Sequence, residues 1–195
     1  MKIGILGGSF NPGQIGHLML ASFVKQFGGF DEVWLMLSPL NPLKVGSADL
    51  IPDVMRLKML DIAIGNFPGI KVNDIELSMP RPSYTINTLR YLSKRYPRHQ
   101  FKLIIGADNW KVFDQWKDSD IILVKWGVLI YPRPGYPIGQ VFVDGAEVIK
   151  APIADISSTF LRKALARGKD MTYFLPAGVY DYIKENKLYG SGSDK

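Results

Sequence analysis

The sequence predicts an α/β fold: a doubly wound parallel sheet with helices on both faces, in a single domain. Three observations predict it. Apolar, β-rich runs alternate with stretches of helical spacing along most of the chain. Several of those runs are continuously apolar rather than alternating, as expected of parallel strands covered on both faces. No linker long enough to divide the chain interrupts it, and 195 residues suffice for one compact domain with its own core.

The elements follow in order. "KIGIL" begins an apolar strand over 2–7 that runs into Gly7 and Gly8, and a Ser-Phe-Asn-Pro corner follows. Gly16-His17 then opens a helix over 17–27. The second run, 32–38, leads through the Pro-rich "SPLNPLK" to a helix over 53–65. The third, 69–75, precedes "RPSYTINTL", where hydroxyl residues behind a proline open a helix over 84–95. The fourth, 101–106, ends in Gly-Ala-Asp and passes into a helix over 109–117 bearing Trp110, Phe113 and Trp116. Runs at 121–131 and 141–149 complete the strands, and helices are predicted over 157–167 and 177–187. The domain so defined spans 1–189, with a small, polar tail at 190–195 predicted to be disordered. In such sheets ligands bind beyond the carboxyl ends of the strands. The distinctive stretches "GGSFNP", "SPLNPLK", "GADNW" and "YPRPGY" all follow strands.

Composition narrows the class. Apolar residues make up 47% and charged residues 22%, an ordinary water-soluble balance. The net charge of +6 suits an anionic ligand but is scattered, and no nucleic-acid recognition motif accompanies it. With no cysteine, disulfides and thiolate metal sites are excluded, and two histidines, His17 and His99, are too few for a His-rich zinc site. "IILVKWGVLIY" is too short and too interrupted, at Lys125, to span a membrane. The N-terminus has no signal-peptide pattern, so a cytoplasmic location is expected. No membrane or nucleic-acid partner is expected, and a homo-oligomer is compatible with the sequence.

Four groups of residues could carry chemistry. Gly7, Gly8, Ser9 and Phe10 follow a strand and precede a helix. They make either a tight βα turn or a loop whose backbone approaches a phosphate, with helix amides aimed at it. His17, at that helix start, is either a half-buried structural imidazole or a donor to phosphate oxygens. Gln14, three residues earlier, can donate but cannot carry charge. In "DISSTFLRKALARG", Ser157 or Ser158 is a natural N-cap. Capping explains one hydroxyl, but not three followed by Arg162, and together these groups make a polyphosphate clamp. Asp108 is an N-cap or a ribose partner. Trp110 and Phe113 read as core, and Trp116 as a residue able to stack on a flat ring. Lys44 is a loop lysine, solvated unless a ligand engages it.

Taken together, "GGSFNPGQIGH", "NPLK", "DIELSMPRPSYTINTL", "IGADNW" with "QW", "RPGY", "ISSTFLR" and "YFLPAGVYDYIKENKLY" resemble the HxGH-type nucleotidyltransferases. The order and the "RPSYT" and "GADNW…W" pieces resemble the bacterial nicotinate-nucleotide adenylyltransferase family. That resemblance covers residues 3–189 and implies a Rossmann-like fold. It also implies transfer of AMP from ATP to nicotinate mononucleotide, giving nicotinate adenine dinucleotide and pyrophosphate, with Mg²⁺ accompanying ATP. No protein-bound metal is implied. By the resemblance, His17 contacts the ATP phosphates. Ser157, Ser158, Thr159 and Arg162 hold the β- and γ-phosphates, with Ile156 near adenine. Gly106 and Asp108 take the adenosine ribose. Gly7, Gly8, Ser9, Phe10 and Lys44 serve the phosphate side shared with the mononucleotide. Tyr84, Thr85 and Trp116 receive the nicotinate ring.

The chain departs from the family pattern where Gln14 replaces a His, and "NPLK" lacks the His that often precedes its lysine. Losing a charged contact to phosphate corresponds to roughly ten- to a hundredfold in rate. The expectation is that Gln14→His keeps or raises turnover. Three alternatives remain open on sequence: another adenylyltransferase of the superfamily, such as a phosphopantetheine one; a catalytically weak nucleotide-binding protein; and a nucleic-acid binder.

Overall fold

The computed structural model describes residues 1–39 and 50–191. Six strands form one parallel sheet: β1 (Lys2–Gly8), β2 (Glu32–Leu37), β3 (Ile70–Asn73), β4 (Gln100–Gly106), β5 (Val128–Tyr131) and β6 (Ala146–Val148). Their spatial order is β3-β2-β1-β4-β5-β6. The chain builds outward from β1 to β3, then returns to lay β4 on the other side of β1. A crevice opens at the carboxyl ends where that order reverses, between β1 and β4. Seven helices surround the sheet among the described residues: α1 (Ile15–Phe27), α2 (Asp53–Ile64), α3 (Thr85–Arg95), α4 (Ala107–Trp110), α5 (Ser119–Lys125), α6 (Ser158–Leu165) and α7 (Val179–Glu185).

The pleat explains why continuous apolar runs are needed. Ile3, Ile5, Trp34, Met36, Phe101, Leu103, Ile105, Val128 and Ile130 point to one face, where they meet Ile86, Leu89 and Leu92 of α3 and Ile122 of α5. The intervening residues Leu6, Val33, Leu35, Leu37, Ile104 and Leu129 point to the other face, against Leu20, Ala21 and Val24 of α1 and Leu60 of α2. The four central strands β1, β2, β4 and β5 are therefore apolar at both parities. A third cluster lies beside the sheet, where Met59 of α2 packs with Leu161 and Leu165 of α6 and Val179 and Ile183 of α7. This cluster carries the start of α6 to the crevice.

Three sequence expectations require correction. The apolar run 121–131 is not one strand: its first half lies in α5, Gly127 turns the chain at φ 73°, and only Val128–Tyr131 enters the sheet. An unbroken apolar run cannot by itself separate a buried helix from a buried strand. The helix expected over 109–117 is one turn of α4 followed by a 3₁₀ turn at Phe113–Gln115. There the aromatic rings stack in sequence, Trp110 on Phe113 and Phe113 beside Trp116, each pair with centroids 5.4 Å apart. The sixth run contributes only Ala146–Val148 to the sheet. Among the described residues, no helix is long and apolar enough to cross a membrane.

Candidate active site

The crevice has two halves that share the end of β1. The first is lined by Gly7, Gly8, Ser9, Phe10, Gln14, His17 and Asp108, and by Ile156, Ser157, Ser158, Thr159 and Arg162 around the start of α6. The second is lined by Gly106, Ser83, Tyr84, Thr85, Trp116 and Lys117, and again by Gly7 and Gly8. Ser38, Asn109 and Tyr131 border both.

The turn after β1 is a tight corner. Phe10 adopts φ 42°, a left-handed conformation that a bulky residue holds only when its surroundings impose it. Its ring is buried, with the edge of the His17 ring 5.1 Å away between centroids. Gln14 is the N-cap of α1 and is itself buried. Its side-chain carbonyl accepts from the Gly16 amide, and its Nε2 donates to the Ile156 carbonyl at 2.9 Å. His17 completes the reciprocal cap: its Nδ1 accepts from the Gln14 amide at 3.1 Å, which assigns the ring proton to Nε2. A Cβ on Gly16 would stand 2.8 Å from the Gln14 side-chain oxygen, so a larger residue here would displace that capping side chain.

The C-terminal segment is stitched to this corner. Ser157 caps α6, accepting from the Phe160 amide at 3.1 Å. Ser158 Oγ donates to the Pro12 carbonyl at 2.8 Å. Arg162 is half-buried and donates to the Asn11 carbonyl at 2.9 Å and to Thr159 Oγ1 at 3.4 Å. Capping therefore accounts for one of the three hydroxyls and long-range packing for a second. The Tyr189 hydroxyl donates to Asn11 Oδ1 at 2.7 Å, and burial pushes that phenol above its ordinary range. Beneath the same corner, fully buried Arg56 donates to the Ser9 and Ser38 carbonyls and pairs with Asp53. It locks together the ends of β1 and β2.

On the β4 side, Gly106 permits a close approach. A Cβ there would lie 2.3 Å from Asp108 Oδ1 and 2.9 Å from Arg133 Cγ. Asp108 Oδ1 lies 3.5 Å from Arg133 Nε. It is buried and has no hydrogen-bond partner among the described residues. Tyr131 is half-buried at the junction of the two halves, and desolvation raises its phenol above the usual range.

The second half differs in kind. Tyr84 is the N-cap of α3 without a side-chain capping bond. Ser83 Oγ and Trp116 Nε1 are buried with no partner among the described residues. Glu76 is buried in the wall and accepts from Ser38 Oγ at 2.8 Å and Thr88 Oγ1 at 2.7 Å. Burial raises its carboxyl above the ordinary range, and the two hydroxyls offset part of that rise.

The structure thus brings Gly7, Gly8, Ser9, Phe10, Gln14, His17, Asp108, Ile156, Ser157, Ser158, Thr159 and Arg162 to one half. It brings Gly106, Tyr84, Thr85 and Trp116 to the other. Lys44 lies outside the described residues. The sequence reading did not single out Asn11, Arg56, Glu76, Lys117, Arg133 or Tyr189. Of these, Glu76 stands inside the quoted "DIELSMPRPSYT", and an acid between two apolar residues was its available signal. Arg56 similarly interrupts the apolar side of "VMRLKML".

Known proteins resemble this chain in sequence and in fold. The cytidylyltransferase-like family model matches residues 5–164. A curated protein of Bacteroides fragilis named "Probable nicotinate-nucleotide adenylyltransferase" is 50% identical over 93% of this chain and 90% of its own. A Bacteroides thetaiotaomicron protein of the same name is 45% identical over 95% and 92%. Among solved structures, Plasmodium falciparum nicotinic acid mononucleotide adenylyltransferase complexed with NaAD superposes with a TM-score of 0.82. It is 21% identical, with 98% of each chain covered.

Proposed function

The chain belongs to the cytidylyltransferase-like family, in its nicotinate-nucleotide adenylyltransferase branch, and from that premise we propose how its two half-sites divide the reaction. The enzyme transfers AMP from ATP to nicotinate mononucleotide and releases pyrophosphate. A phosphate oxygen of the mononucleotide forms a bond to the α-phosphorus of ATP, and the bond from that phosphorus to the β-phosphate bridging oxygen breaks. No covalent intermediate with the protein is needed, so catalysis reduces to alignment and stabilisation of phosphate charge.

In our reading the half formed by the corner and α6 receives the triphosphate. His17 offers Nε2–H to phosphate oxygens, because Nδ1 is occupied as an acceptor. Arg162, Ser157, Ser158 and Thr159 hold the β- and γ-phosphates, with Ile156 beside the adenine. Gly106 and Asp108 bind the adenosine ribose, a reading supported by the lack of a hydrogen-bond partner for Asp108 Oδ1. Gly7, Gly8, Ser9 and Phe10 line the phosphate junction, to whose mononucleotide side the family resemblance also assigns Lys44, and Tyr84, Thr85 and Trp116 take the pyridine ring. Gln14 acts by holding the start of α1 against Ile156. This accords with its burial and its two side-chain hydrogen bonds.

Mg²⁺ belongs in this reading as part of the nucleotide substrate. The groups around the phosphate half are hydroxyl, amide, imidazole and guanidinium, with one carboxylate, Asp108. Among the described residues no three His, Asp or Glu side chains gather into a cage. Such a set fits an ion carried on triphosphate oxygens, where it would neutralise charge on the leaving pyrophosphate.

The observation that carries the reading is the pair of half-sites meeting at Gly7, Gly8, Asn109 and Tyr131. That arrangement lets two nucleotides place their phosphates end to end. The test is pyrophosphate release with ATP, Mg²⁺ and either nicotinate or nicotinamide mononucleotide. Release with the acid form, and much less with the amide, is expected. ATP binding without release from either would instead support a weak nucleotide-binding protein.

A further inference from the structure

Two ion pairs in series run beneath the crevice. The Arg56 side chain is fully buried, and its guanidinium donates to backbone carbonyls of three separate segments. These are Ser9 in the corner after β1, Ser38 and Pro39 after β2, and Ile51 before α2. Its Nη2 also meets Asp53 Oδ1, and the other oxygen of that carboxylate accepts from Arg81 Nη2 at 2.9 Å. Arg81 stands two residues before Ser83, in the loop that opens α3. A second route reaches the same hub from the other side of that loop. Thr88 of α3 and Ser38 both donate to Glu76, and the Ser38 carbonyl accepts from Arg56 at 2.9 Å. Ser83, Tyr84 and Thr85 of the ring half are thus flanked by two ties to one guanidinium, which also holds the Ser9 carbonyl of the phosphate corner.

We propose that Arg81, acting through Asp53 and Arg56, is a positioning residue that keeps the two half-sites in register; this rests on the nucleotidyl-transfer reading above. A guanidinium keeps its charge when buried, so Arg56 needs a counter-charge, and Asp53 supplies it. The carboxylate is then fixed by a fully buried partner, and Arg81 pairs with an acceptor already held in place. As a partly exposed pair, Arg81 and Asp53 contribute little to folding. None of Arg56, Asp53 and Arg81 is among the residues lining either half, so their effect lies in placement rather than contact. In-line attack needs the mononucleotide phosphate at a set distance from the α-phosphorus of ATP, and a displacement of about 1 Å costs rate steeply.

The test uses the full chain with Arg81→Met, Asp53→Asn and the double substitution. Affinities for ATP and for nicotinate mononucleotide are measured separately by calorimetry. Pyrophosphate formation is followed in a single turnover with both substrates saturating. Arg81→Met is expected to lower that rate by roughly two- to fivefold, the limit for a partly exposed ion pair, with both affinities within about twofold of the parent. Asp53→Asn should lower it by roughly tenfold or more, because Arg56 loses its counter-charge. Adding Arg81→Met to Asp53→Asn should lower it no further, since the pairs act as one chain. Arg81→Lys should recover most of the parent rate. Arg81 is exposed, so Arg81→Met decides the question even where Asp53→Asn melts early. An unchanged rate in Arg81→Met overturns the proposal, as do additive losses in the double variant. Weaker mononucleotide binding at an unchanged saturated rate also overturns it, and would make Arg81 a local prop of the ring half. A parent that forms no pyrophosphate with either nicotinate or nicotinamide mononucleotide overturns the reaction assignment itself. A parent that forms it at a rate indifferent to Arg81 overturns this inference alone.

Discussion

The two halves of the crevice are built on opposite principles. In the phosphate half, polar groups already bond to one another across the fold: Gln14 to Ile156, Ser158 to Pro12, Arg162 to Asn11, Tyr189 to Asn11. In the ring half, Ser83 and Trp116 carry buried donors that the described residues do not satisfy, and α3 begins without a side-chain cap. The first half is held in shape before a ligand arrives. The second keeps hydrogen-bonding capacity for the ligand to complete. A triphosphate brings several charges whose stabilisation in the transition state depends on fixed geometry. A pyridine ring needs recognition, which depends on groups that bond better to the right ligand than to the wrong one.

Substitutions at four positions can break or sharpen this contrast. His17→Ala should have the largest effect, lowering kcat by roughly a hundred- to a thousandfold, as for removal of one prepositioned donor to a developing oxyanion. ATP affinity measured by calorimetry should change only severalfold. A loss confined to binding would contradict the role of the corner in charge stabilisation.

Gln14→Ala comes next. It deletes the donor to Ile156 and the acceptor for Gly16, and each bond is worth about 1 kcal/mol. Thermal unfolding should shift downward, and kcat should fall by roughly tenfold. Gln14→His should keep or raise turnover if an imidazole supports the same frame. A large fall in Gln14→His with normal thermal stability would give the amide a role of its own at the phosphates.

Tyr189→Phe should be milder. It removes one buried hydrogen bond to Asn11, about 1 kcal/mol of stability, without touching the ligand. The expected kinetic sign is a rise of a few-fold in KM for ATP with kcat nearly unchanged. Equal loss in the rate with either mononucleotide is also expected, because the brace lies on the phosphate side. An altered acid-to-amide preference would show that the two halves are coupled.

Glu76→Gln gives the smallest effect and depends on pH. Burial raises the Glu76 carboxyl above its unfolded value. The folded chain therefore holds that proton more tightly than the unfolded chain. The stabilisation is present below the unfolded carboxylate range and is lost as pH rises through the raised folded value. A Gln side chain has no such dependence. The melting temperature of Glu76→Gln relative to the parent should thus increase between acidic and neutral pH. A difference that falls with pH would mean that the bonds from Ser38 and Thr88 outweigh burial.

Much of this architecture was legible in the residues. Continuous apolar runs marked parallel strands because β1, β2 and β4 bury both faces, as Ile3 and Ile5 on one side and Leu6 on the other show. The positions after the strands marked the crevice because strand ends in a doubly wound sheet converge there. Where the reading failed, the cause was local ambiguity. At 121–131 burial made helix and strand look alike, and only the left-handed turn at Gly127 divides them. At 109–117 three aromatics at helical spacing imitate a helix, whereas the chain makes a single α-turn and a 3₁₀ bend with the rings packed against one another.

The sequence by itself determined the fold class, the strand-end location of the crevice and the local pieces that line it, from the glycine corner to the cap of α6. These rest on interactions within a few residues, and so on spacing that can be read along the chain. Only the tertiary structure decided which of those groups are already engaged. Gln14 meets Ile156 across 142 residues and Tyr189 meets Asn11 across 178, while Glu76 joins Ser38 to Thr88. Such contacts leave no local periodicity, because they arise when separate layers pack against one sheet. Whether a polar side chain supports the fold or awaits a ligand depends on the partners that packing brings to it.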